Sequence, residues 1–507
     1  MDEKSLKERT AGGMLWGGLS NGLMQLIGAV FGIVLLRYIT PEDQGKVAVL
    51  YIFSAIASAL QESGFIAALC NRKEPTHEEY NAVFWFNLLV SASLYILLWF
   101  CAPLIADFYG DSDLIPLSRV LFLGFLFSGF GTVQRAYLFG HLMVRQTSIC
   151  SLTAMLLSGI VGVTMAICGF AYWAIVTQAV CFVLFTQIMA WYFSPWRPTI
   201  LKFKIQKSKI KNNNSSSGSK FFTLHSSFFI SLAPAWKMFG FSSKLMLTNI
   251  VNICNLHAFS VLLGKYIGEY TAGIYTTARG WDDKASSTIN GMVTNVAQPT
   301  LAQVTEDIGR YRQVFRKMLR FVCFVSFPAM LGLGLVAQEF ILLTVGEKWR
   351  ESALILSLLC IHGAFVPITT LYSNLTISRG RSGVNMGCTI AQCLAVWAGL
   401  ILLYPKGLIP MVIYFVALNV AWLVIWQWWA WRLTGLSFMD ALKDIMPFLA
   451  FTLAVLAVTW WLTNGITNLW LLLISRTFIA AVLYGGIMWV SGAKIMREAI
   501  QYLTKRK

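Results

Sequence analysis

Four charged residues lie close together in an otherwise apolar region: Arg279, Asp282, Asp283 and Lys284. An arginine can bind the oxygens of a phosphate or carboxylate group through two parallel hydrogen bonds, and a lysine adds a point charge. Charged side chains at membrane depth usually face a cavity or a partner. One hypothesis is that Arg279 and Lys284, together with Lys244 near the start of the preceding predicted helix, bind an anionic ligand. The alternative is that Arg279 only pairs with the aspartates, which follow it at the spacing of intrahelical ion pairs.

Side-chain amides form a second group of candidate binding residues. Asn249, Asn252 and Asn255 recur every three residues, and Asn21 and Gln25 lie four residues apart. Amides both donate and accept hydrogen bonds, which suits binding of sugar hydroxyls. The alternative is that they hold neighbouring helices together within the lipid.

Carboxylates form a third group. Glu62 lies inside an apolar segment, and a lone intramembrane carboxylate is a candidate site for H⁺ or Na⁺ coupling. Asp282 and Asp283 are further candidates for this role. The alternative for Glu62 is an ion pair with a basic residue near the membrane surface. Such residues are Arg72, Lys73 and Arg135.

Composition indicates that lipid surrounds most of this chain. Of its 507 residues, 57% are hydrophobic and only 12% are charged, and the mean hydropathy is +0.64. A helix that spans a bilayer needs roughly 20 predominantly apolar residues. We expect about fourteen such segments, at 12–36, 47–70, 82–106, 116–139, 148–168, 171–193, 240–263, 272–299, 319–343, 352–376, 384–403, 408–431, 445–463 and 468–491. The predicted fold is an all-α integral membrane protein.

The distribution of Lys and Arg predicts the orientation. With the N-terminus in the cytoplasm, 29 of the 40 basic residues fall in cytoplasmic regions and 7 in outside loops. This bias follows the positive-inside rule and places both termini in the cytoplasm. It also accounts for the net charge of +17, so no nucleic acid partner is needed to explain that charge. The ten cysteines contain no CxxC pair, and no metal site is expected.

The chain contains an internal repeat. A shift of 228 residues aligns Arg37-Tyr38-Ile39 with Lys265-Tyr266-Ile267, Gly45 with Gly273, and Asn21 with Asn249. Six helices per half make this a parallel repeat of two pseudo-symmetric bundles, and substrate sites in such proteins lie between the halves. We expect lobes at 1–196 and 239–432, a cytoplasmic basic linker at 197–238, and a terminal helix pair with a basic tail at 433–507.

Two connecting segments have predicted structural roles. The linker stretch KFKIQKSKIKNNNSSSGSK, at 202–220, has the composition of a flexible tether. Arg37 is expected to cap the outer end of the first helix, where Glu42 and Asp43 are candidate partners. Pro41 and Gly45 are expected to form a turn.

The opening GGLSNGLMQLIGAVFGIVLLRYITPEDQGKVAVL, at 17–50, resembles the start of the polysaccharide-transport (Wzx-type) family. This family belongs to the superfamily of multidrug, oligosaccharidyl-lipid and polysaccharide exporters. The predicted fourteen helices, the two lobes and the stretch NVAQPTLAQV at 295–304 are similar to it as well. The resemblance implies a flippase of the bacterial inner membrane that carries undecaprenyl-pyrophosphate-linked oligosaccharides outward by alternating access.

The resemblance also implies how the candidate residues would act. Arg279 and its cationic neighbours would bind the pyrophosphate, the amides would bind sugars, and the last helix pair would offer a groove for the prenyl tail. The implied partners are the lipid-linked oligosaccharide, membrane lipids, a polysaccharide polymerase and chain-length machinery. No cofactor is expected, and transport would be coupled to an H⁺ or Na⁺ gradient or to the membrane potential.

Two other function classes remain. A cation-coupled multidrug antiporter of the same superfamily would favour acidic cavity residues, whereas cations are prominent here. A membrane polysaccharide polymerase or glycosyltransferase would need a large outside loop with acidic or arginine residues, and no outside loop is predicted to exceed about fifteen residues. The sequence has no Walker loop, dinucleotide fingerprint, HExxH or serine elbow, so we expect a transporter and not an enzyme.

Overall fold

The computed structural model describes the backbone of residues 3–62, 75–141, 143–199, 201–207, 222–228, 250, 253–254 and 257–490. Within these ranges it describes the side chains except at residues 3–19, 61–62, the two strands, seven positions between 292 and 303, and residue 490.

Long helices make up almost all of the described chain. The first half contains α1 (Glu3–Tyr38), α2 (Pro41–Glu62), α3 (His77–Tyr109), α4 (Leu114–Gly140), α5 (Val144–Ile167) and α6 (Tyr172–Phe193). Two strands follow, β1 (Leu201–Lys207) and β2 (Phe222–Phe228). Residues 257–266 form the next described helix, α7. After it come α8 (Glu269–Gln303), α9 (Ile308–Leu335), α10 (Ala337–Thr344), α11 (Arg350–Ser378), α12 (Ser382–Leu403), α13 (Leu408–Ala421), α14 (Leu423–Thr434), α15 (Phe438–Thr463) and α16 (Leu469–Val490).

The protein is a multi-pass membrane protein. Among the described residues, eleven helical spans are long and apolar enough to cross a bilayer. They correspond to eleven of the fourteen predicted segments, so the all-α membrane fold is confirmed. The count of fourteen stays a prediction. Of the other three segments, 47–70 and 240–263 are described only in part, and 272–299 lies in α8, which is too polar to be included.

The start of the predicted tether forms a strand, while the tether itself stays a prediction. Strands β1 and β2 pair antiparallel, with Leu201 opposite Phe228 and Lys207 opposite Phe222. The sequence signal for β1 is the alternation of apolar and polar residues in LKFKIQK, the period of a strand. The sequence analysis assigned this stretch to a tether because of its lysine content. Residues 208–221, between the strands, lie outside the described part of the chain.

The chain divides into two compact units. The first consists of Met1–Gly28, Phe53–Thr164 and Val176–Ile250, and the second of Ala29–Ile52, Met165–Ile175 and Val251–Lys507. The predicted lobe boundaries stay a prediction. An aromatic core in the first unit comprises Tyr80, Val83, Phe84, Val133, Ala136 and Trp196.

Local caps explain where some helices begin. The Thr76 hydroxyl accepts a hydrogen bond from the backbone N–H of Glu79, and the Glu79 carboxylate accepts one from the N–H of Thr76. This capping box satisfies two backbone donors at the start of α3. Ser437 caps the start of α15, because its hydroxyl accepts a hydrogen bond from the N–H of Asp440.

A buried carboxylate connects the terminal helix pair to α9. The side chain of Asp444 is 3% exposed, and it lies 2.6 Å from Arg316 and 2.7 Å from Arg320. The two arginines are four residues apart, so both reach the same side of α9. Arg312, one turn earlier, donates to the carbonyl of Thr434 at the end of α14. The basic residues of this region therefore have a structural role in attaching α15.

Candidate functional site

Helix α8 carries a polar face within the second unit. Ser287, Thr288 and Thr294 are exposed, and Arg279 and Asn290 are partly exposed. Other positions of the helix are buried, among them Tyr275, Ala278, Ile289 and Val293. Only residues 267 and 268 separate α8 from the preceding helix. The short turn is possible because Gly268 has φ 128°, a conformation that favours glycine. A polar face on a helix of a membrane protein is a candidate functional site.

Arg279 lies between two carboxylates. Its Nε is 3.0 Å from Asp283 Oδ1, and its Nη1 is 3.9 Å from Asp282 Oδ2. Residues three and four positions later flank the same helical position, so one carboxylate lies on each side of the guanidinium. The arginine side chain is 18% exposed. The predicted intrahelical pairing is thus present, and whether Arg279 also binds a ligand stays a prediction.

Asp282 is an almost fully buried carboxylate. Its side chain is 1% exposed, and neither oxygen has a hydrogen-bond partner among the described residues. Gly363 on α11 makes room for it, because a Cβ at that position would overlap Asp282 Oδ1 and Met330 Cε. Only Arg279 among the described cations forms an ion pair with Asp282. The buried charge therefore depends on this arginine. Asp283, in contrast, has a side chain that is 46% exposed.

An aromatic ring and a histidine complete the site, and sequence reasoning missed both as site residues. The Arg279 guanidinium lies 5.7 Å from the ring centre of Phe415. His362 packs on the same ring at 4.9 Å and is 8% exposed, and its Nδ1 has no described hydrogen-bond partner. The available sequence signal was a lone histidine beside a glycine within a long apolar segment.

Lys284 points back along its own helix. Its Nζ donates to the carbonyl of Gly280 at 3.4 Å and lies 5.1 Å from the ring centre of Trp281. These contacts are local and weak, so the ammonium group can leave them at small cost. The role of Lys284 in ligand binding stays a prediction.

The amides of α1 belong to the first unit. Asn21 is exposed and Gln25 is partly buried. Several predicted site residues cannot be compared with the fold: Lys244, Asn249, Asn252 and Asn255 lie outside the described residues, and Glu62 is the last residue of α2, with its side chain outside the description. No group of three or more His, Cys, Asp or Glu residues suited to hold a metal ion occurs in the described part of the chain.

The geometry supports reversible anion binding. Arg279 is the only one of the three predicted cations that is described with carboxylate partners, and those carboxylates compete with any anionic ligand for its N–H groups. Neutralising a carboxylate, by a proton or a bound cation, would release the guanidinium for a phosphate. The arrangement can therefore couple anion binding to cation binding by electrostatics alone.

A second feature is an apolar groove formed by α9, α10, α15 and α16. It encloses about 560 Å³ and is lined by residues that include Gly332, Phe340, Val455, Ala481 and Tyr484. Helices α15 and α16 occupy the residues of the predicted terminal pair, and a role of this groove in binding a prenyl tail stays a prediction.

A buried ion pair borders this groove. Arg476 also lines it. Its guanidinium donates to Glu339 at 2.7 Å and to the hydroxyl of Thr463 at 3.2 Å. The Glu339 and Arg476 side chains are only 5% and 10% exposed.

Sequence comparisons identify related proteins. A model of the family described as "Polysaccharide biosynthesis protein" matches residues 34–224 and 221–354. The chain is 26% identical over 381 residues to "Lipopolysaccharide biosynthesis protein WzxC" of Escherichia coli (strain K12), covering 75% of this chain and 72% of that protein. It is 22% identical over 480 residues to "Succinoglycan biosynthesis transport protein ExoT" of Rhizobium meliloti (strain 1021), covering 94% and 91%.

Solved structures show a similar fold. The structure titled "Lipid II flippase MurJ, inward closed conformation" matches with a TM-score of 0.70 and 14% identity, covering 96% of this chain and all of that one. An inward-facing multidrug resistance MATE family transporter of the MOP superfamily matches with a TM-score of 0.61 and 15% identity, covering 82% and 95%. At these identities the likeness concerns the fold.

Proposed function

The chain belongs to the polysaccharide biosynthesis protein family, and we propose that it is a transporter that moves lipid-linked oligosaccharides across a bacterial inner membrane. The substrate class is an undecaprenyl-pyrophosphate carrying an oligosaccharide repeat unit, used for O-antigen, capsule or exopolysaccharide. Relatives named for lipopolysaccharide biosynthesis and for succinoglycan transport support this substrate class. The observation that carries the proposal is the polar face of α8, with Arg279 between two carboxylates, in a multi-pass membrane protein of this family.

The proposed orientation has both termini in the cytoplasm. Its support is the bias of 29 basic residues on that side against 7 outside. The substrate is taken up from the cytoplasmic leaflet and released at the opposite leaflet by alternating access. A polysaccharide polymerase and chain-length machinery would then act on the released product.

Arg279 binds the pyrophosphate in this proposal. A phosphate oxygen replaces Asp283 at the guanidinium, and Lys284 leaves the Gly280 carbonyl to add a second positive charge. The amides of Asn21 and Gln25 and the hydroxyls along α8 bind sugar hydroxyl groups. Asn249, Asn252, Asn255 and Lys244 are proposed as further binding residues, and Glu62 as a further coupling residue, on the basis of the sequence alone.

Binding of the anion is coupled to neutralisation of Asp282 or Asp283. After correction for the protonation of the ligand itself, we expect inorganic pyrophosphate to bind the purified full-length protein more tightly as the pH falls from about 8 to about 5, because a protonated Asp282 no longer competes for Arg279. Isothermal titration calorimetry in lipid nanodiscs measures this affinity. Asp282→Asn should bind at least as tightly at the higher pH and lose most of the pH dependence.

Sodium ions distinguish the two coupling cations. If Na⁺ replaces the proton, affinity should rise with Na⁺ at constant ionic strength and change little with pH. Wild-type affinity that changes with neither would contradict coupling through these aspartates.

The groove along α15 and α16 takes the prenyl tail. Its lining is apolar and its volume of about 560 Å³ suits part of an extended hydrocarbon chain. We expect Ala481→Trp, which fills the groove, to reduce transport severely while the protein remains abundant in the membrane. The neighbouring Val482→Trp is the matched control, because Val482 is 54% exposed and does not line the groove. Equal transport by both variants would contradict binding of the prenyl tail in this groove.

Complementation tests the function as a whole. The wild-type chain is expressed in a bacterium that lacks its own polysaccharide flippase, and surface glycan is assayed together with membrane abundance. Restored glycan is the expected result. Vesicles that contain the purified protein and a fluorescent lipid-linked oligosaccharide give the direct measurement. Drug or cation exchange without movement of the lipid-linked substrate would instead favour the antiporter, and chain extension would favour a polymerase.

A further inference from the structure

The sequence repeat has a structural counterpart in which the two repeated segments contact each other. Gly45 on α2 packs against the carbonyl oxygen of Glu269, the first residue of α8, and a Cβ at residue 45 would overlap that oxygen. Gly273 on α8 packs against the carbonyl oxygen of Pro41, the first residue of α2, with the same consequence for a Cβ. The repeat shift of 228 residues relates Gly45 to Gly273 and Pro41 to Glu269. The contact is therefore reciprocal, as at a two-fold symmetric interface.

A second set of contacts joins the same region, again in both directions. Arg37, at the end of α1, donates to the carbonyls of Thr344 at 2.6 Å and Leu343 at 2.7 Å, at the end of α10. Lys348 donates to the carbonyl of Arg37 at 2.9 Å and to that of Ile39. These cations satisfy carbonyls at helix C-termini, which otherwise lack partners. Arg37 was expected to pair with Glu42 or Asp43, but it donates to the α10 carbonyls. The Asp43 carboxylate instead accepts hydrogen bonds from the backbone N–H and the hydroxyl of Thr40.

Trp349 adds a buried anchor to these contacts. It is fully buried, and its indole N–H donates to the carbonyl of Leu36 at 2.9 Å. We call Arg37, Gly45, Gly273, Lys348 and Trp349 the helix-end cluster. All five lie within the second compact unit, which explains why residues 29–52 of the first repeat are grouped with the second repeat.

Given the proposed function, we infer that the helix-end cluster is a reversible closure of the outer end of the transport pathway, which must separate and re-form in every transport cycle. The charge bias places these helix ends outside. Each contact joins the first repeat to the second, and no covalent connection holds them together locally.

Apart from the buried Trp349, the contacts of the cluster suit repeated opening. Arg37 and Lys348 are exposed, so water can take the place of the carbonyls they bind, and the net change in hydrogen-bond free energy is small. The glycine contacts have no side chains to interlock. Segments that move in a functional cycle are expected to have such replaceable contacts.

Hydrogen exchange tests the closure without any substrate. In the full-length protein in nanodiscs, Gly45→Ala and Gly273→Ala should each accelerate amide exchange by about an order of magnitude at both helix starts, 41–45 and 269–273. Either methyl group separates the same reciprocal contact. Gly32→Ala is the matched control, since nothing lies within 4 Å of the added Cβ. Unchanged exchange in both variants, or acceleration only at the substituted helix, would overturn the inference.

A cross-link tests the need for opening. Glu42 and Tyr270 are also related by the repeat shift, and they directly follow Pro41 and Glu269, whose carbonyls contact Gly273 and Gly45. Glu42→Cys/Tyr270→Cys, joined by a reducible cross-linker, should lose transport of lipid-linked oligosaccharide and regain it after reduction. Each single variant treated alike is the control.

The two experiments separate the closure from the proposed function. Wild-type transport by fully cross-linked protein would refute the closure while leaving the function intact. Failure of the wild type to transport would refute the function, and the exchange result would still decide whether the cluster holds the two helix starts together.

Discussion

Arg279→Ala is expected to abolish transport and to destabilise the protein by about 3–5 kcal/mol, because it leaves the buried Asp282 without its cation. Thermal unfolding in nanodiscs and membrane abundance measure stability, and flipping of a fluorescent lipid-linked oligosaccharide measures transport. Asp282 is 1% exposed and has no described hydrogen-bond partner. Loss of transport in the single variant could therefore result either from lost ligand binding or from lost stability.

A double variant separates the two roles of Arg279. Arg279→Ala/Asp282→Asn removes both charges, so most of the stability should return. If Arg279 binds the pyrophosphate, transport should remain absent in this stable protein. Recovery of transport together with stability would reduce Arg279 to a structural partner of Asp282. Arg279→Lys is a second control, since it keeps the charge but loses the bidentate geometry, and it should retain partial activity.

Glu339→Ala is expected to give the largest loss of stability outside α8, again about 3–5 kcal/mol. The substitution leaves the Arg476 guanidinium at the groove with only the Thr463 hydroxyl and the Leu335 carbonyl as described partners. The measurement is thermal unfolding of the purified protein. Glu339→Gln should lose less, because the amide oxygen can still accept a hydrogen bond from Arg476.

Removing both members of this pair gives the matched control. Glu339→Met/Arg476→Met should be close to the wild type in stability, since hydrophobic replacement of a buried ion pair is often neutral or stabilising. A double variant as unstable as Glu339→Ala would contradict this account. If the stable double variant still transports, the ion pair serves only the packing of α16 against α10.

The membrane-spanning helices could be predicted from the sequence because each depends on the local composition of its own segment. A run of about 20 apolar residues must form a helix in lipid, whatever its neighbours are. Eleven predicted segments correspond to spans in the described chain. The predicted segment 272–299 lies in α8, where charged residues interrupt the apolar pattern, and it is too polar to count as a membrane span. This helix contains the candidate site.

The linker shows the limit of compositional reasoning. Lysines, serines and asparagines at 202–220 indicated a tether, yet residues 202–207 of this stretch lie in β1 and pair with β2; residues 208–220 lie outside the described chain. Hydrogen bonds between strands depend on a partner segment, and composition alone does not reveal the pairing.

For the site, the sequence supplied local pairs and missed distant ones. Arg279 and Asp283 are four residues apart, so helical periodicity predicted their contact. Phe415 and His362 reach the same arginine from other helices. The partner of Arg476 lies 137 residues away at Glu339. No local periodicity encodes such contacts.

The sequence by itself thus determined the membrane class, the family, the repeat and the charged cluster of α8, because each of these is a local or additive property of residues. Tertiary structure decided which charges are buried, which partners compensate them, and that the repeated glycines at 45 and 273 pack against each other's helix starts. The physical reason is that burial and close packing depend on helices brought together from distant parts of the chain. The free energy of a buried charge or of a glycine contact is set by those neighbours.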